Sequence, residues 1–156
     1  MRAARIQAFV LALFTAGTVW AMDTPSTDSK PAKDPALEQA RAAIGKQDWA
    51  GAQNVLREAV ARNPQNADYH NLYAYSMRMG PNPAMDLVFR HYNEALRLDP
   101  KHRAAHEYIG EAYLMAGNVA KAKEHLGELD RLCTFGCEEY TKLKKDVAAY
   151  EQRAKK

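Results

Sequence analysis

The sequence predicts an all-α chain built from stacked helical hairpins. Three observations predict it. A spaced pattern of small and large residues recurs along the chain, glycine and proline punctuate the recurring segments, and the last segment is apolar along a single helical stripe. Ala52-x3-Leu56-x2-Ala59-x4-Pro64 returns as Val88-x3-Tyr92-x2-Ala95-x4-Pro100, a shift of 36 residues. Ala122-x3-Leu126-x2-Leu129 repeats the first part again, with Thr134 in the proline slot. Spacings of three, four and seven put side chains on one helix face, and a period of this length marks stacked supersecondary units.

In chain order, the first element is an export signal over residues 1–21. Arg2 and Arg5 precede an Ala-rich apolar run from Ile6 to Val19, and Val19-Trp20-Ala21 places small residues at a cleavage point after Ala21. The run is too short and too broken by Gly17 for a spanning helix, which needs about 20 strongly apolar residues. No cysteine follows the cut, so a bacterial lipid attachment is not expected. These features predict a periplasmic or secreted protein with no stable membrane insertion after cleavage. Losing Arg2 and Arg5 takes the net charge from +3 to +1, which gives no electrostatic case for nucleic acid.

Residues 22–33 read MDTPSTDSKPAK, too polar to offset the entropy of ordering, and are expected to form a mobile tether. Asp34-Pro35 then supplies an N-cap and a proline at the first helical position. Three hairpins are expected over 34–132. Gly45, Gly80 and Gly117 are expected at helix ends, where a left-handed residue costs glycine little. Pro64 and Pro100 stop the second helices. Small residues at Ala40, Ala52, Gly110 and Ala122 let helices approach, and Trp49, Leu56, Tyr92, Tyr113 and Leu126 fill the space between layers.

The order of slots in Ile109-Gly110-x2-Tyr113-x3-Gly117, followed by alanine, leucine or aromatic, alanine and proline, resembles the tetratricopeptide repeat. Three units match, over about Lys33 to Cys133. The sequence departs from the pattern at Gln47, where a turn glycine is usual, and at Gly80-Pro81-Asn82-Pro83, which lengthens the second turn. The resemblance implies a right-handed superhelix whose inner face is lined by the first helix of each unit. The slots implied for a partner-binding groove are Leu37, Arg41 and Ile44 in the first unit and His70, Ala74, Met77 and Arg78 in the second. The third contributes Glu107, Glu111, Leu114 and Met115. Such a mixture of apolar and charged side chains suits a peptide or a partner helix, and methionine makes the contact adaptable.

Residues 133–156 close the chain. Tyr140, Leu143, Val147 and Tyr150 form one stripe, with Lys142, Lys144, Lys145, Glu151 and Gln152 on the other face, as expected of a solubilising cap. Cys133 and Cys137 flank Thr-Phe-Gly, and in an exported chain they are expected to pair as a structural disulfide. The spacing is not the Cys-x-x-Cys of redox enzymes.

His102 and His106 stand four apart with Glu107 adjacent, a spacing that can offer two imidazoles to one metal. The remaining ligands are missing, so no metal site and no cofactor are expected. No spacing ties His70 and His91 to that pair, and His125 is expected on the surface. No nucleophile elbow, phosphate loop or zinc-protease helix occurs, and the scattered carboxylates read as solvated helix faces.

The function expected is that of a non-catalytic adaptor or scaffold holding a protein or peptide. The alternative is a thiol- or metal-handling accessory protein using Cys133 and Cys137, and a third reading is a subunit that acts only within a complex.

Overall fold

The computed structural model describes residues 33–155. The export signal and nearly all of the tether lie outside them. The described residues form seven helices and no strand: α1 (Pro35–Gly45), α2 (Trp49–Arg62), α3 (Ala67–Met79), α4 (Met85–Leu98), α5 (Arg103–Met115), α6 (Val119–Leu132) and α7 (Glu138–Ala154). None is long and apolar enough to cross a membrane.

Local chemistry explains where the helices start. Asp34, Asp48, Asn66 and Asn118 each accept a hydrogen bond from a backbone N–H of the first turn of the helix that follows. Such caps are worth about 1 kcal/mol each. Helix α4, which follows the long second turn, starts at Ala84 with no side-chain cap.

The turns differ from expectation. Gly45 is the last helical residue of α1, and Gly80 has φ −74°, so neither is left-handed. Gln47 (φ 58°) and Asn82 (φ 52°) take that conformation, alongside Gly117 (φ 77°) and Gly136 (φ 83°). Gln47 therefore does the turning work that a glycine performs at position 117, at some steric cost.

Consecutive helices pack as antiparallel neighbours, and the odd-numbered helices also touch one another: α1 with α3, α3 with α5, α5 with α7. The even-numbered helices make no such contacts, so the odd row is the inner face of the solenoid. Three apolar clusters fill the layers. Leu37, Ala40, Ala52, Leu56, Ala59 and Tyr69 form the first; Ala74, Val88, Tyr92, Ile109 and Ala112 the second; Ala122, Leu129, Leu143 and Val147 the third. Each fully buried large side chain contributes about 1.5–3 kcal/mol of transfer free energy. Helices α5 and α7 approach closely at Gly110, where a Cβ would stand 2.6 Å from the Leu143 side chain. An alanine fits at the equivalent Ala40 and Ala74, both fully buried.

Candidate partner-binding groove

The inner faces of α3, α5 and α7 enclose a recess of about 440 Å³. Tyr75 and Tyr108 line it, with ring centroids 4.7 Å apart. The Arg78 guanidinium lies 5.5 Å from the Tyr75 centroid and 6.0 Å from that of Tyr108. Although charged, Arg78 is buried. Its partners make burial tolerable: it donates to Glu111 Oε2 at 2.6 Å and to the Tyr92 hydroxyl at 3.3 Å. Burial pushes the Tyr92 hydroxyl's pKa upward, so it stays a neutral acceptor. From α7, Lys142 reaches Glu107 at 2.7 Å and also pairs with Glu111. Burial raises the pKa of Glu107, and the Lys142 ammonium works against that rise. Glu138 and Glu139 complete the rim. Four carboxylates and two cations line this recess, and Glu139 is also paired with Arg103 at 3.7 Å. A second recess of about 390 Å³ adjoins it, with Leu114 and Met115 on one side and Asp146, Tyr150 and Arg153 of α7 on the other.

Residues 37–84 and 90–129 match the model of the tetratricopeptide repeat family. The chain belongs to that family. Solved structures agree in fold. The Yersinia enterocolitica type III secretion translocator chaperone SycD superposes with a TM-score of 0.67 at 14% identity, over 78% of this chain and 84% of that one. Its complex with a peptide of the translocator YopD gives 0.62 at 16%, over 77% and 89%. The TPR2B domain of yeast Sti1, in a complex with pHsp70, gives 0.67 at 19%, over 76% and 94%. No curated protein matches the sequence.

Of the groove slots carried over from the tetratricopeptide pattern, the structure gathers Arg78, Glu107, Glu111, Leu114 and Met115 around the two recesses. The others fall elsewhere. Leu37 and Ile44 pack into the first apolar cluster, Ala74 and Met77 into the second, and Arg41 is exposed without lining either recess. His70 is buried against α4.

The first unit's slots are in register but lie on α1, which lines neither recess; in the second repeat the reason is a slip of register. Ala74 and Gly110 share a slot, so the equivalents of Glu107, Glu111 and Met115 are Asn71, Tyr75 and Met79. A one-residue slip turns a side chain by about 100° around the helix, away from the groove. Asn71 is buried, and its Oδ1 is the buried side-chain polar atom without a hydrogen-bond partner among the described residues.

Sequence reasoning also missed the contribution of the cap. Lys142 is not simply on the solvent face; it spans to α5, and α7 behaves as the first helix of a further tetratricopeptide unit. The signal lay in its position after a turn, where α3 and α5 begin. Likewise Glu107 is not a solvated carboxylate but a buried one.

The histidines are rearranged relative to expectation. His102 caps α5, accepting from Ala105 N at 3.2 Å, and its Nε2 meets Asp68 at 3.4 Å. That contact is the first cause of the lowered Asp68 pKa. His106 turns away from His102, so the two do not converge on one ion. Its Nδ1 lies 3.0 Å from Nδ1 of His125, which is half-buried rather than on the surface. His70 and His91 repeat the arrangement at 2.9 Å.

At the chain reversal, Cys133 and Cys137 are bonded, with Cα atoms 5.6 Å apart. Cys137 Sγ accepts from Tyr140 N at the start of α7, and Phe135 is fully exposed at the loop tip. Glu139 offers an oxygen within 4.8 Å of both sulfurs.

Proposed function

We propose that this is an exported, non-catalytic adaptor that holds an extended or helical protein segment in the recesses between α3, α5 and α7. The observation that carries this reading is the Arg78–Glu111–Lys142–Glu107 network, with Arg78 and Glu107 buried and Lys142 exposed, in an open, tyrosine-lined recess. A preformed charged lattice keeps the side chains in place before a partner arrives, which lowers the ordering cost of binding. The excess of carboxylates favours a segment carrying lysine or arginine, with an apolar anchor beside Leu114 and Met115. Charges of this kind set partner choice and orientation, while the anchor supplies most of the affinity. The fold shared with a chaperone solved with a bound peptide supports the same reading.

Partner capture from intact envelope tests it. Met115→Asp, and Glu138→Lys with Glu139→Lys, should each reduce capture at least about tenfold, the loss of roughly one buried anchor or charge contact, with unchanged helical circular dichroism. Unchanged capture in both variants would sink the groove reading. Export has its own check: protein from the native host should begin at Met22 by mass spectrometry, and an intact Met1 terminus would refute it.

One observation favours a second reading. In the bonded form Glu139 lies beside both sulfurs, so reduction would free two thiolates next to a carboxylate, a donor set that a zinc ion accepts. Zinc titration of reduced protein, with and without Cys133→Ser and Cys137→Ser, decides this alternative. We propose the bonded form as a staple between α6 and α7.

A further inference from the structure

Two histidine pairs recur at equivalent positions and belong to no part of the groove. In the second hairpin, His70 on α3 meets His91 on α4; in the third, His106 on α5 meets His125 on α6. Each inner-helix histidine also places Nε2 near the carbonyl oxygen that ends the preceding helix region: Pro64 at 3.0 Å for His70, and Pro100 at 3.1 Å for His106. A carbonyl only accepts, so Nε2 carries the hydrogen and Nδ1 presents a lone pair. The partner ring must then donate from its own Nδ1.

The two rings of each pair meet head-on. Their centroids are 5.1 Å and 5.3 Å apart, which is the N···N distance plus the two ring radii. Both nitrogens therefore lie on the line joining the rings. The outer ring's Nε2 makes no hydrogen bond to the described residues and is not a buried orphan, so water reaches it.

We infer that each pair is a binding site for a monovalent d10 metal ion, of the copper(I) and silver(I) class, held between two collinear Nδ1 atoms. Binding requires the outer histidine to move its proton from Nδ1 to Nε2 through water, which frees a second lone pair with no net proton release. Two metal–nitrogen bonds of about 2 Å each then replace the hydrogen bond, and the rings part by about 1 Å. The carbonyl on the inner ring is the partner that metal-bound histidines usually have, fixing tautomer and orientation.

The donor set also argues against zinc, which takes three or four ligands. Among the described residues, Cys133, Cys137 and Glu139 form the group of three or more convergent ligands, and neither histidine pair acquires a third. The carboxylates facing the outer histidines, Glu94, Glu124 and Glu128, are tied to Arg97, Lys121 and Arg131. Copper accepts imidazole readily, and the monovalent ion needs only two donors in line.

The first hairpin supplies an internal control. By the same slots, its equivalents are Ala36 and Val55, which have no donor atoms. The full chain should therefore take up two ions.

Silver(I), added in chloride-free buffer without thiol reductant, is the probe, because it is redox-silent and leaves the disulfide closed. Native mass spectrometry should show two ions on the unaltered chain, one on His91→Gln and none on His91→Gln with His125→Gln. Cys133→Ser with Cys137→Ser should keep both. Nitrogen-15 histidine spectra of the unaltered chain should show the Nδ1 signals of His70, His91, His106 and His125 shifting together on titration, with His102 unmoved. This readout does not depend on the variants folding. Silver uptake undiminished in the double variant, zinc binding at the pairs without silver binding, or no Nδ1 shifts at micromolar silver would each overturn the inference.

Discussion

The first hairpin and the two that follow share a backbone plan but close it with different chemistry. Where the second and third place a histidine on each helix, the first places Ala36 and Val55, which pack onto the Leu37–Leu56 cluster. Its polar contact lies elsewhere: Tyr69 at the start of α3 donates to the Asp34 carboxylate at 2.6 Å, the first cause of the lowered Asp34 pKa. The difference teaches that the imidazole pairs are not needed to form the hairpin. They add a polar chain, from carbonyl to imidazole to imidazole, at a position that an alanine and a valine fill adequately.

The largest expected effect comes from breaking one pair asymmetrically. His70→Ala removes a buried ring, leaves a cavity, and strands both the Pro64 carbonyl and His91. We expect a loss of about 2–4 kcal/mol in urea denaturation, from the cavity and the orphaned polar groups together. Adding His91→Val, which recreates the first hairpin's pair, should recover at least about 1 kcal/mol, because no polar group is then left facing an apolar one. A double variant less stable than His70→Ala would show that the hairpins are not interchangeable.

Acid should separate the hairpins next. Burial, followed by the facing imidazole, lowers His91 and His125 to about 4. Arg90 lowers His91 further and Glu94 opposes it; Lys121 lowers His125, while Glu124 and Glu128 oppose. The sign follows from proton binding. An unfolded histidine takes its proton near pH 6.5, whereas the folded one takes it near pH 4. Between those values the unfolded state holds more protons, so stability falls as pH drops from about 6.5 to about 4 and levels off below, as far as these groups decide it. The chain with both pairs changed to alanine and valine should lose that segment of the pH profile. An unchanged profile would mean other groups carry it.

A smaller effect is expected at the small-residue slot. Ala40 and Ala74 tolerate a methyl there, but Leu143 of α7 occupies the equivalent space at Gly110. Gly110→Ala should therefore destabilise by about 1–3 kcal/mol despite its better helix propensity. A gain in stability on thermal melting would show that Leu143 can swing aside.

Much of this architecture was legible in the sequence. The cap at Asp34, the stops at Pro64 and Pro100, and the apolar repeat are local signals that mean the same thing in any chain. That Glu107, Glu111, Leu114 and Met115 of the third unit face the inner recesses was legible because Gly110 and Tyr113 fix the register. In the second unit, His70 and Met77 were assigned with no such anchor, and a slip of one residue moved them out of the groove. The histidine pairs were hidden because their members lie 21 and 19 residues apart, on different helices. Only the crossing of those helices brings them together. Lys142 was missed because a charged residue on a final helix reads as solvent-facing until the helix is seen to lie along the inner row.

The odd row of helices also sets an order of opening. Helix α1 is backed along that row only by α3, and α7 only by α5, whereas α3 and α5 are held from both sides. In a stack where each unit touches only its neighbours, protection from solvent accumulates toward the middle. Amide hydrogens of α3 and α5 should be the last to exchange with deuterium, and those of α1 among the first. The inner wall of the groove is then the most slowly opening part of the molecule. Lys142 joins that wall from the helix at the edge of the stack.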